Sequence, residues 1–185
     1  MIRLILGLGN PGKEYEGTRH NTGREAVLYF AKRAGFPKFE YEKKSNSLTS
    51  KHKLLISLPE TFMNKSGSAA AKLVKPKKEL KDLVVLHDDL DLPLGRFKIS
   101  YGKNSGGHKG VESVMRALKT KNFVRVRIGI SPKNKPAQKE ILKFIIGKFK
   151  PSESEILKKV FKKIAEALEV MATDSLDRAM SEFNH

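Results

Sequence analysis

A short, largely apolar run, Ile2–Leu6, leads straight into a glycine-rich turn near the start of the chain. From Gly7 to Asn21 the sequence reads GLGNPGKEYEGTRHN. An apolar run bounded by turn residues predicts a buried strand, and His20 follows it where the next helical pattern begins. Because α/β proteins bind their ligands beyond the carboxyl ends of strands, this order predicts a titratable base at that edge of a sheet.

The same turn contains the pattern G-x-G-x-x-G at Gly7, Gly9 and Gly12, which is typical of dinucleotide-binding sites. In those sites a helix begins at the turn, and its free N–H groups bind the pyrophosphate. Here Pro11 removes one donor, and the helical pattern begins only near Asn21. An apolar second strand ending in an acid does not follow at the usual distance. The sequence therefore argues against a Rossmann-type oxidoreductase, and we predict no cofactor.

Apolar runs bounded by turn residues alternate with helical patterns along the chain. This alternation predicts an α/β domain with a mostly parallel, mixed sheet. The predicted strands are Ile2–Leu8, Lys53–Leu58, Leu83–His87, Phe97–Tyr101 and Val124–Ile130, with a weaker pair between Phe39 and Thr49. The predicted helices are Thr22–Ala34, Asn64–Val74, His108–Leu118, Ala137–Ile145, Ser152–Ala172 and Asp174–Phe183.

The length of 185 residues is enough to bury a core, and we expect a single domain over residues 1–185. The chain contains no cysteine, which excludes disulfides, thiolate metal ligands and cysteine nucleophiles. Its start lacks the layout of a signal peptide, and its apolar runs fall short of membrane-spanning length. We therefore expect a soluble, cytoplasmic protein with no membrane partner.

The charge balance is strongly basic, with 37 Lys and Arg against 20 Asp and Glu, which leaves a net charge of +17. Such an excess attracts a polyanionic partner, since cations that neutralise phosphates release counterions. A solubilising surface is the alternative interpretation. The same two interpretations apply to four lysines on the polar side of the last long predicted helix, Lys158, Lys159, Lys162 and Lys163. A capping box, Ser152 with Glu155, is predicted to begin that helix.

Three further segments carry residues suited to catalysis. Thr61–Gly67 contains Asn64, which can cap a helix or face a substrate. His87–Pro93 ends a predicted strand, and a carboxylate there can orient a histidine base. Ser105–Gly110 places paired glycines before a helix, where backbone N–H groups can bind an anion or a developing oxyanion.

A metal site is the alternative interpretation of the acidic segment. Its candidate ligands would be His87, Asp88, Asp89 and Asp91. These residues are nearly adjacent on a strand end, so their side chains diverge. Their spacing matches neither zinc nor calcium sites. We therefore predict no metal.

The residues favour hydrolysis by a general base. The sequence contains no G-x-S-x-G elbow that would mark a serine nucleophile. A histidine with an ordinary pKa near ~6.5 can accept a proton at neutral pH. Activation of water by a histidine, without a covalent intermediate, is the reaction class that this set of residues predicts.

Five motifs, in order and at compatible spacing, resemble bacterial peptidyl-tRNA hydrolases. They are GLGNPGxxYxxTRHN (Gly7 to Asn21), TFMNxSG (Thr61 to Gly67), HDDLDLPxG (His87 to Gly95), GGHxG (Gly106 to Gly110) and RxRIGI (Arg125 to Ile130). The resemblance runs from Met1 to about residue 150. It implies a monomer with a twisted mixed sheet flanked by helices. It also implies metal-independent hydrolysis of the ester between peptide and tRNA, with the acceptor stem and CCA end of peptidyl-tRNA as the bound partner.

The resemblance also implies roles for individual residues. The catalytic set consists of His20 as the base that activates water, Asp88 as the residue that orients it, and Asn10. The residues implied to contact substrate are Tyr15, Met63, Asn64, Gly107, His108 and Lys109, the last three in a mobile gate. Lys98 and Arg127 match the basic residues that clamp a phosphate of the tRNA acceptor stem.

Two positions depart from the family pattern. Lys109 stands where the gate has asparagine, and Ser100 stands where the clamp has a second basic residue, with Arg96 nearby as a substitute. Neither departure touches His20 or Asp88. An inactive RNA-binding relative of the same fold is the competing hypothesis. The joint presence of the catalytic histidine, carboxylate and asparagines argues against it.

Overall fold

A mixed β-sheet forms the centre of the computed structural model, which describes residues 1–74 and 80–184. Its strands are β1 (Leu4–Gly7), β2 (Glu40–Glu42), β3 (Ser47–Lys51), β4 (Leu55–Pro59), β5 (Leu80–Pro93), β6 (Phe97–Tyr101) and β7 (Phe123–Ser131). The helices are α1 (Thr22–Arg33), α2 (Ser66–Leu73), α3 (Lys109–Leu118), α4 (Ile141–Ile146), α5 (Pro151–Thr173) and α6 (Leu176–Phe183). Short 3₁₀ turns occupy Lys13–Tyr15, Arg19–Asn21, Met63–Lys65 and Gln138–Glu140.

The strand order in the sheet is β2-β3-β4-β1-β5-β7-β6. The four central strands, β4, β1, β5 and β7, run parallel to one another. The flanking pairs β2–β3, β3–β4 and β6–β7 are antiparallel. The predicted α/β domain with a mixed sheet is confirmed, with the parallel pairing confined to the centre. The carboxyl ends of β1 and β5 therefore meet at one edge of the sheet.

Helices cover both faces of this sheet. Ile5, Leu86 and Val126 face a core that includes residues of α1, α5 and α6. Leu6 and Val85 belong to a second core, which includes residues of α2 and α3. Alternate residues of a strand point to opposite faces, so strands buried on both sides are apolar along nearly their whole length.

One glycine brings the first helix unusually close to the sheet. A Cβ atom at Gly23 of α1 would lie 2.2 Å from the carbonyl oxygen of Leu86, which excludes any side chain at this position. The beginning of α1 therefore lies directly against β5. This contact brings the residues just before α1 to the carboxyl end of the neighbouring strand.

Several element boundaries differ from those predicted, among them the end of β5 and the start of α5. β5 extends past His87 to Pro93, with a register irregularity after Asp89, because it continues to pair with β7. α5 begins at Pro151, and Glu153 accepts the backbone N–H of Lys150 at 2.7 Å. The predicted capping box at Ser152 and Glu155 is therefore wrong by two residues. No helix in the described ranges is both long and apolar enough to cross a membrane.

Candidate active site

The candidate site lies where the carboxyl ends of β1 and β5 meet. His20 lies in the 3₁₀ turn Arg19–Asn21, between β1 and α1, and Asp88 lies in β5. The parallel register pairs Gly7 with Leu86. The two functional residues are 68 positions apart in sequence and are brought together by this strand pairing.

His20 and Asp88 form a buried hydrogen-bonded pair. His20 Nδ1 lies 3.0 Å from Oδ2 and 3.1 Å from Oδ1 of Asp88. The two side chains are 11% and 4% exposed. A carboxylate only accepts, so the proton lies on Nδ1, and Nε2 is the nitrogen that can take a proton from water. The predicted base and orienting carboxylate are thus in contact.

The local electrostatics shift the pKa values of both groups. Burial lowers the pKa of His20, but the charge of Asp88 and its hydrogen bond outweigh this effect, so the pKa is raised above 6.5. Burial alone would raise the pKa of Asp88. The charges of His20 and His108, with their hydrogen bonds, instead hold that pKa well below its usual range. Asp88 therefore stays ionised while His20 titrates.

His108 is the second histidine on Asp88. Its Nε2 lies 2.8 Å from Asp88 Oδ1, and its ring lies 4.9 Å from that of His20. The Nδ1 atom caps α3 by accepting the N–H of Val111 at 3.2 Å. Nδ1 is therefore unprotonated, and Nε2 carries the hydrogen that it donates to Asp88. The sequence predicted His108 as a gate residue but gave no signal for this bond.

The group His20, Asp88 and His108 also has the composition of a metal site, with ligand atoms within 4.8 Å of one another. The cap on α3 opposes this use. Because Nδ1 of His108 accepts the N–H of Val111, the ring proton stays on Nε2, which is the nitrogen that would have to bind a metal beside Asp88. The acidic segment is no more suitable. Asp89 accepts from Arg127 at 2.6 Å and Asp91 from Lys135 at 2.6 Å, so its carboxylates point to different partners.

His87 supports this arrangement from inside the protein. Its Nδ1 donates to the backbone oxygen of Asp88 at 2.7 Å, and its ring packs edge-on against His108 at 4.8 Å. Burial, followed by the charges of His108 and Arg125, lowers its pKa well below 6.5, so the ring is neutral. The sequence suggested His87 as a strand end and as a candidate ligand of the alternative metal site, and did not predict this supporting contact.

Asn10 ties the glycine-rich turn to the segment that follows β4. Its side-chain Oδ1 accepts the backbone N–H of Met63 at 2.7 Å. Its own backbone N–H donates to Asn21 Oδ1 at 2.8 Å, and Asn21 Nδ2 donates to the Asn10 carbonyl at 2.9 Å. Because Oδ1 is occupied, the NH₂ group is the part of Asn10 that can face a substrate.

Asn64 is exposed in the 3₁₀ turn next to the buried Met63. Lys65 occupies the N-cap position of α2, and no side chain caps that helix. The capping role considered for Asn64 is therefore wrong. Tyr15 is half-buried and lies edge-on to Phe62, with ring centroids 6.5 Å apart. Phe62 is 57% exposed and was not identified from the sequence.

A cavity of about 480 Å³ opens beside this group of residues. Its walls include His20 and His108, the gate residues Gly107 and Lys109, and Ile145 of α4. Gly107 has φ +82° in the exposed turn before α3. The side chain of Lys109 is 70% exposed and its Nζ lies 3.2 Å from Glu112. A larger cavity of about 630 Å³ lies between β6, α5 and α6 and does not include the histidine–carboxylate pair.

The two residues predicted to clamp a phosphate lie on adjacent strands. Lys98 of β6 is directly opposite Arg127 of β7, and Lys98 is exposed. Arg127 Nε donates to Asp89, the neighbour of the orienting carboxylate. A basic pair therefore lies beside the acidic segment that contains Asp88.

Comparison with known proteins agrees with this geometry. A family model described as peptidyl-tRNA hydrolase matches residues 4–185. The chain belongs to the peptidyl-tRNA hydrolase family. A peptidyl-tRNA hydrolase from Dehalococcoides mccartyi is 37% identical over 192 residues, which covers 99% of this chain and 100% of that protein. One from Thermodesulfovibrio yellowstonii is 39% identical over 190 residues, with 98% of both chains covered.

The fold agrees with the sequence comparison. The crystal structure of peptidyl-tRNA hydrolase from Acinetobacter baumannii superposes with a TM-score of 0.88 at 27% identity, covering 99% of this chain and 94% of that one. The resemblance drawn from the five motifs is thereby confirmed. The chain is an ester hydrolase of this family, and the inactive RNA-binding alternative is not favoured.

Proposed function

We propose that His20 of this peptidyl-tRNA hydrolase activates water to cleave the ester between the peptide carboxyl group and the terminal ribose of tRNA. Nε2 takes a proton from water as the water oxygen bonds to the carbonyl carbon. The bond from that carbon to the ribose oxygen then breaks, and His20 returns the proton to the ribose oxygen. The products are free tRNA and the N-blocked peptide.

The single observation that carries this proposal is the hydrogen bond from His20 Nδ1 to Asp88. It fixes the tautomer in which Nε2 is basic, and it stabilises the imidazolium that forms during attack. The raised pKa of His20 makes the ring a stronger base. His108 supports the same carboxylate from its other side.

The neighbouring amides have complementary roles in the proposal. Asn10 donates from its NH₂ group to the peptide backbone, since its oxygen is held by Met63. Asn64, which is exposed, donates to the attacked carbonyl oxygen. Tyr15 and Met63 line the peptide cleft, and the gate of Gly107, His108 and Lys109 closes over it.

The basic pair Lys98 and Arg127 binds a phosphate of the acceptor stem in this proposal, which leads the CCA end to His20. Their positions opposite each other suit the two sides of one phosphate group. We also propose that the protein acts as a monomer. Sedimentation at the enzyme concentrations used for kinetics tests this point.

The test uses N-acetylated and free aminoacyl-tRNA, each with and without EDTA. We expect release of tRNA from the acetylated substrate only, unaffected by EDTA. His20→Ala should slow the chemical step by about 10²–10⁴-fold with nearly unchanged tRNA affinity. His52→Ala, at an exposed histidine away from the site, is the matched control. A His20→Ala enzyme with more than about a tenth of the normal rate would overturn the assignment.

A further inference from the structure

Two buried polar side chains near the clamp carry atoms that have no hydrogen-bond partner among the described residues. Arg125 is 1% exposed, and its Nε and Nη2 atoms make no hydrogen bond within the described part of the chain. Ser100 is 5% exposed, and its Oγ is likewise unpaired there. Nearly all buried polar groups in native proteins are paired. Several unpaired groups in one place therefore indicate a water molecule or a ligand that binds them.

The strand register places these groups together and beside the clamp. Ser100 of β6 lies opposite Arg125 of β7, two positions from the pair of Lys98 and Arg127. Alternate residues of a strand point to the same face, and opposite residues have Cβ atoms about 4.5–5.5 Å apart. These four residues form what we call the basic patch. We call Lys98 and Arg127, which are exposed and partly exposed, its rim, and the buried Arg125 and Ser100 its floor.

The charges of the basic patch favour an anion. Its three cationic side chains face one carboxylate, Asp89, which is bonded to Arg127. Burial first, and then the charge of Arg127, lower the pKa of Arg125 to about 10, against the opposing effect of Asp89. Arg125 is therefore still a cation at neutral pH. An arginine with free N–H groups is well suited to phosphate, which accepts several hydrogen bonds.

Arg96, the substitute suggested by the sequence for the missing basic residue at Ser100, lies in a different place. It precedes β6 and borders the cavity of about 630 Å³ between β6, α5 and α6, together with Phe97 and Lys159. Phe97 lies one residue from Lys98 on β6, so it points to the opposite face of the sheet. Arg125, in contrast, lies directly opposite Ser100 and on the face of the clamp.

We propose that Arg125 supplies the second cation of the phosphate site from the neighbouring strand, in place of the basic residue absent at position 100. The ligand is the terminal phosphate of the acceptor stem, so this inference rests on the proposed function. Lys98 and Arg127 contact the phosphate from the rim, while Arg125 and the Ser100 hydroxyl bind it from the floor. Arg127 lies directly opposite His87 in the strand register, and the charge of Arg125 lowers the pKa of His87. The proposed phosphate site therefore lies beside the segment that carries Asp88.

The test compares two N-acetyl-aminoacyl RNA minihelices that differ only in carrying a 5′-phosphate or a 5′-hydroxyl. We expect the wild type to prefer the phosphorylated minihelix. Arg125→Gln should reduce that preference about tenfold and change kcat/KM for the 5′-hydroxyl minihelix by less than about threefold. Adding Ser100→Lys to Arg125→Gln should restore the preference. Arg33→Gln, which removes one positive charge from the exposed end of α1, is the control and should leave it unchanged.

Two outcomes would overturn the inference. In the first, folded Arg125→Gln keeps the preference, and the unpaired groups then bind water only. In the second, Arg125→Gln hydrolyses both minihelices more slowly by the same factor, which would mean that Arg125 has a purely structural role. Ser100→Lys in the wild type decides the question if Arg125→Gln does not fold. It should change the preference for the phosphorylated minihelix by less than about threefold if Arg125 already supplies the second cation. It should raise that preference about tenfold if the phosphate site has no second cation.

Failure of the proposed function has a different signature. In that case the wild type would hydrolyse neither minihelix. Binding of the corresponding unacylated minihelices, measured by fluorescence anisotropy, would still report on the basic patch.

Discussion

Asp88 receives N–H groups from two histidines, and the surroundings of each ring fix where its proton lies. His108 cannot exchange its two ring positions, because the Val111 N–H occupies Nδ1. His20 presents Nδ1 to the same carboxylate, which leaves Nε2 as its basic atom. At the scale of single residues, the proposed mechanism therefore depends on one ionised carboxylate with two fixed donors.

Asp88→Asn should move the acid limb of the kcat/KM profile to lower pH. In the wild type, activity should fall as the pH drops through the raised pKa of His20, above 6.5, because the protonated ring cannot accept a proton. Without the charge of Asp88, burial acts alone and lowers that pKa. The rate should also fall, since asparagine can present its NH₂ group to Nδ1 and so favour the tautomer that carries its proton on Nε2. The loss should be smaller than in His20→Ala, because the base itself is retained.

The measurement is kcat/KM from about pH 5 to about pH 9 for both enzymes. Asp91→Asn is the matched control, because Asp91 belongs to the same segment but pairs with the exposed Lys135. Its profile should match that of the wild type. An acid limb that stays in place in Asp88→Asn would mean that Asp88 does not set the pKa of His20.

The sequence predicted His20, Asp88 and both asparagines as site residues because each lies at or just after an apolar run. It could not predict the bond between His108 and Asp88. That bond depends on a ring orientation set by the backbone of α3, which no spacing of residues reveals. The Nε and Nη2 atoms of Arg125, which make no hydrogen bond in the described ranges, were equally invisible, because the burial of this side chain results from tertiary packing.

At the scale of elements, Arg19 joins the turn that carries His20 to the segment containing α4 and the start of α5. Its guanidinium lies 4.3 Å from the ring centroid of Phe144 and 5.0 Å from that of Phe149. Nη2 donates to Glu153 at 2.8 Å, and Nη1 donates to the carbonyl of Lys148 at 3.0 Å. Ile145 of α4 lines the catalytic cavity, so this junction connects a cavity wall to the turn of the base.

Arg19→Met should lower the free energy of unfolding by about 2–4 kcal/mol, because it leaves the partly buried Glu153 without its cation and removes two ring contacts. It should also lower kcat/KM, since the turn of His20 loses its attachment to α4. Urea unfolding and kinetics at the same pH test both effects. Arg33→Met, which breaks exposed pairs with Glu166 and Glu169, should cost less than about 1 kcal/mol.

An Arg19→Met protein of unchanged stability would show that the turn is held by backbone contacts alone. Such contacts exist. The Arg19 N–H donates to the carbonyl of Gly147 at 3.1 Å, and Phe149 N–H donates to Gly17 at 3.2 Å. Arg19→Lys separates charge from shape, because lysine keeps the pairing with Glu153 but cannot stack a planar group between two rings.

The elements themselves were largely predictable, because each strand and helix has its own apolar pattern. The errors lie where tertiary contacts override local signals. β5 continues to Pro93 because β7 lies beside it. The start of α5 moves to Pro151, where Glu153 both accepts the Lys150 N–H and pairs with Arg19. Neither partner can be identified from the local sequence of the affected segment.

At the scale of the whole molecule, the net charge of +17 is distributed between separate surfaces. The basic patch lies on the face of the sheet that carries α3, beside the catalytic cavity. Lys159 and Lys163 of α5 line the larger cavity on the other face, next to Phe97. A nucleic acid that reaches His20 along the clamp need not contact the lysines of α5, so the two surfaces can be tested separately.

The affinity of unacylated tRNA should fall steeply as salt increases, because binding to phosphates releases counterions. Lys98→Ala should weaken binding and flatten the slope of log K against log[salt] by about one unit, the value expected for one lost phosphate contact. Lys162→Ala removes the same charge from the exposed face of α5 and should leave the slope within about 0.3 units if that face is only solvated. Fluorescence anisotropy at four salt concentrations measures all three slopes.

Equal flattening in both variants would assign the lysines of α5 to the RNA surface as well. A slope near zero in the wild type would mean that the basic charge serves solubility rather than tRNA binding.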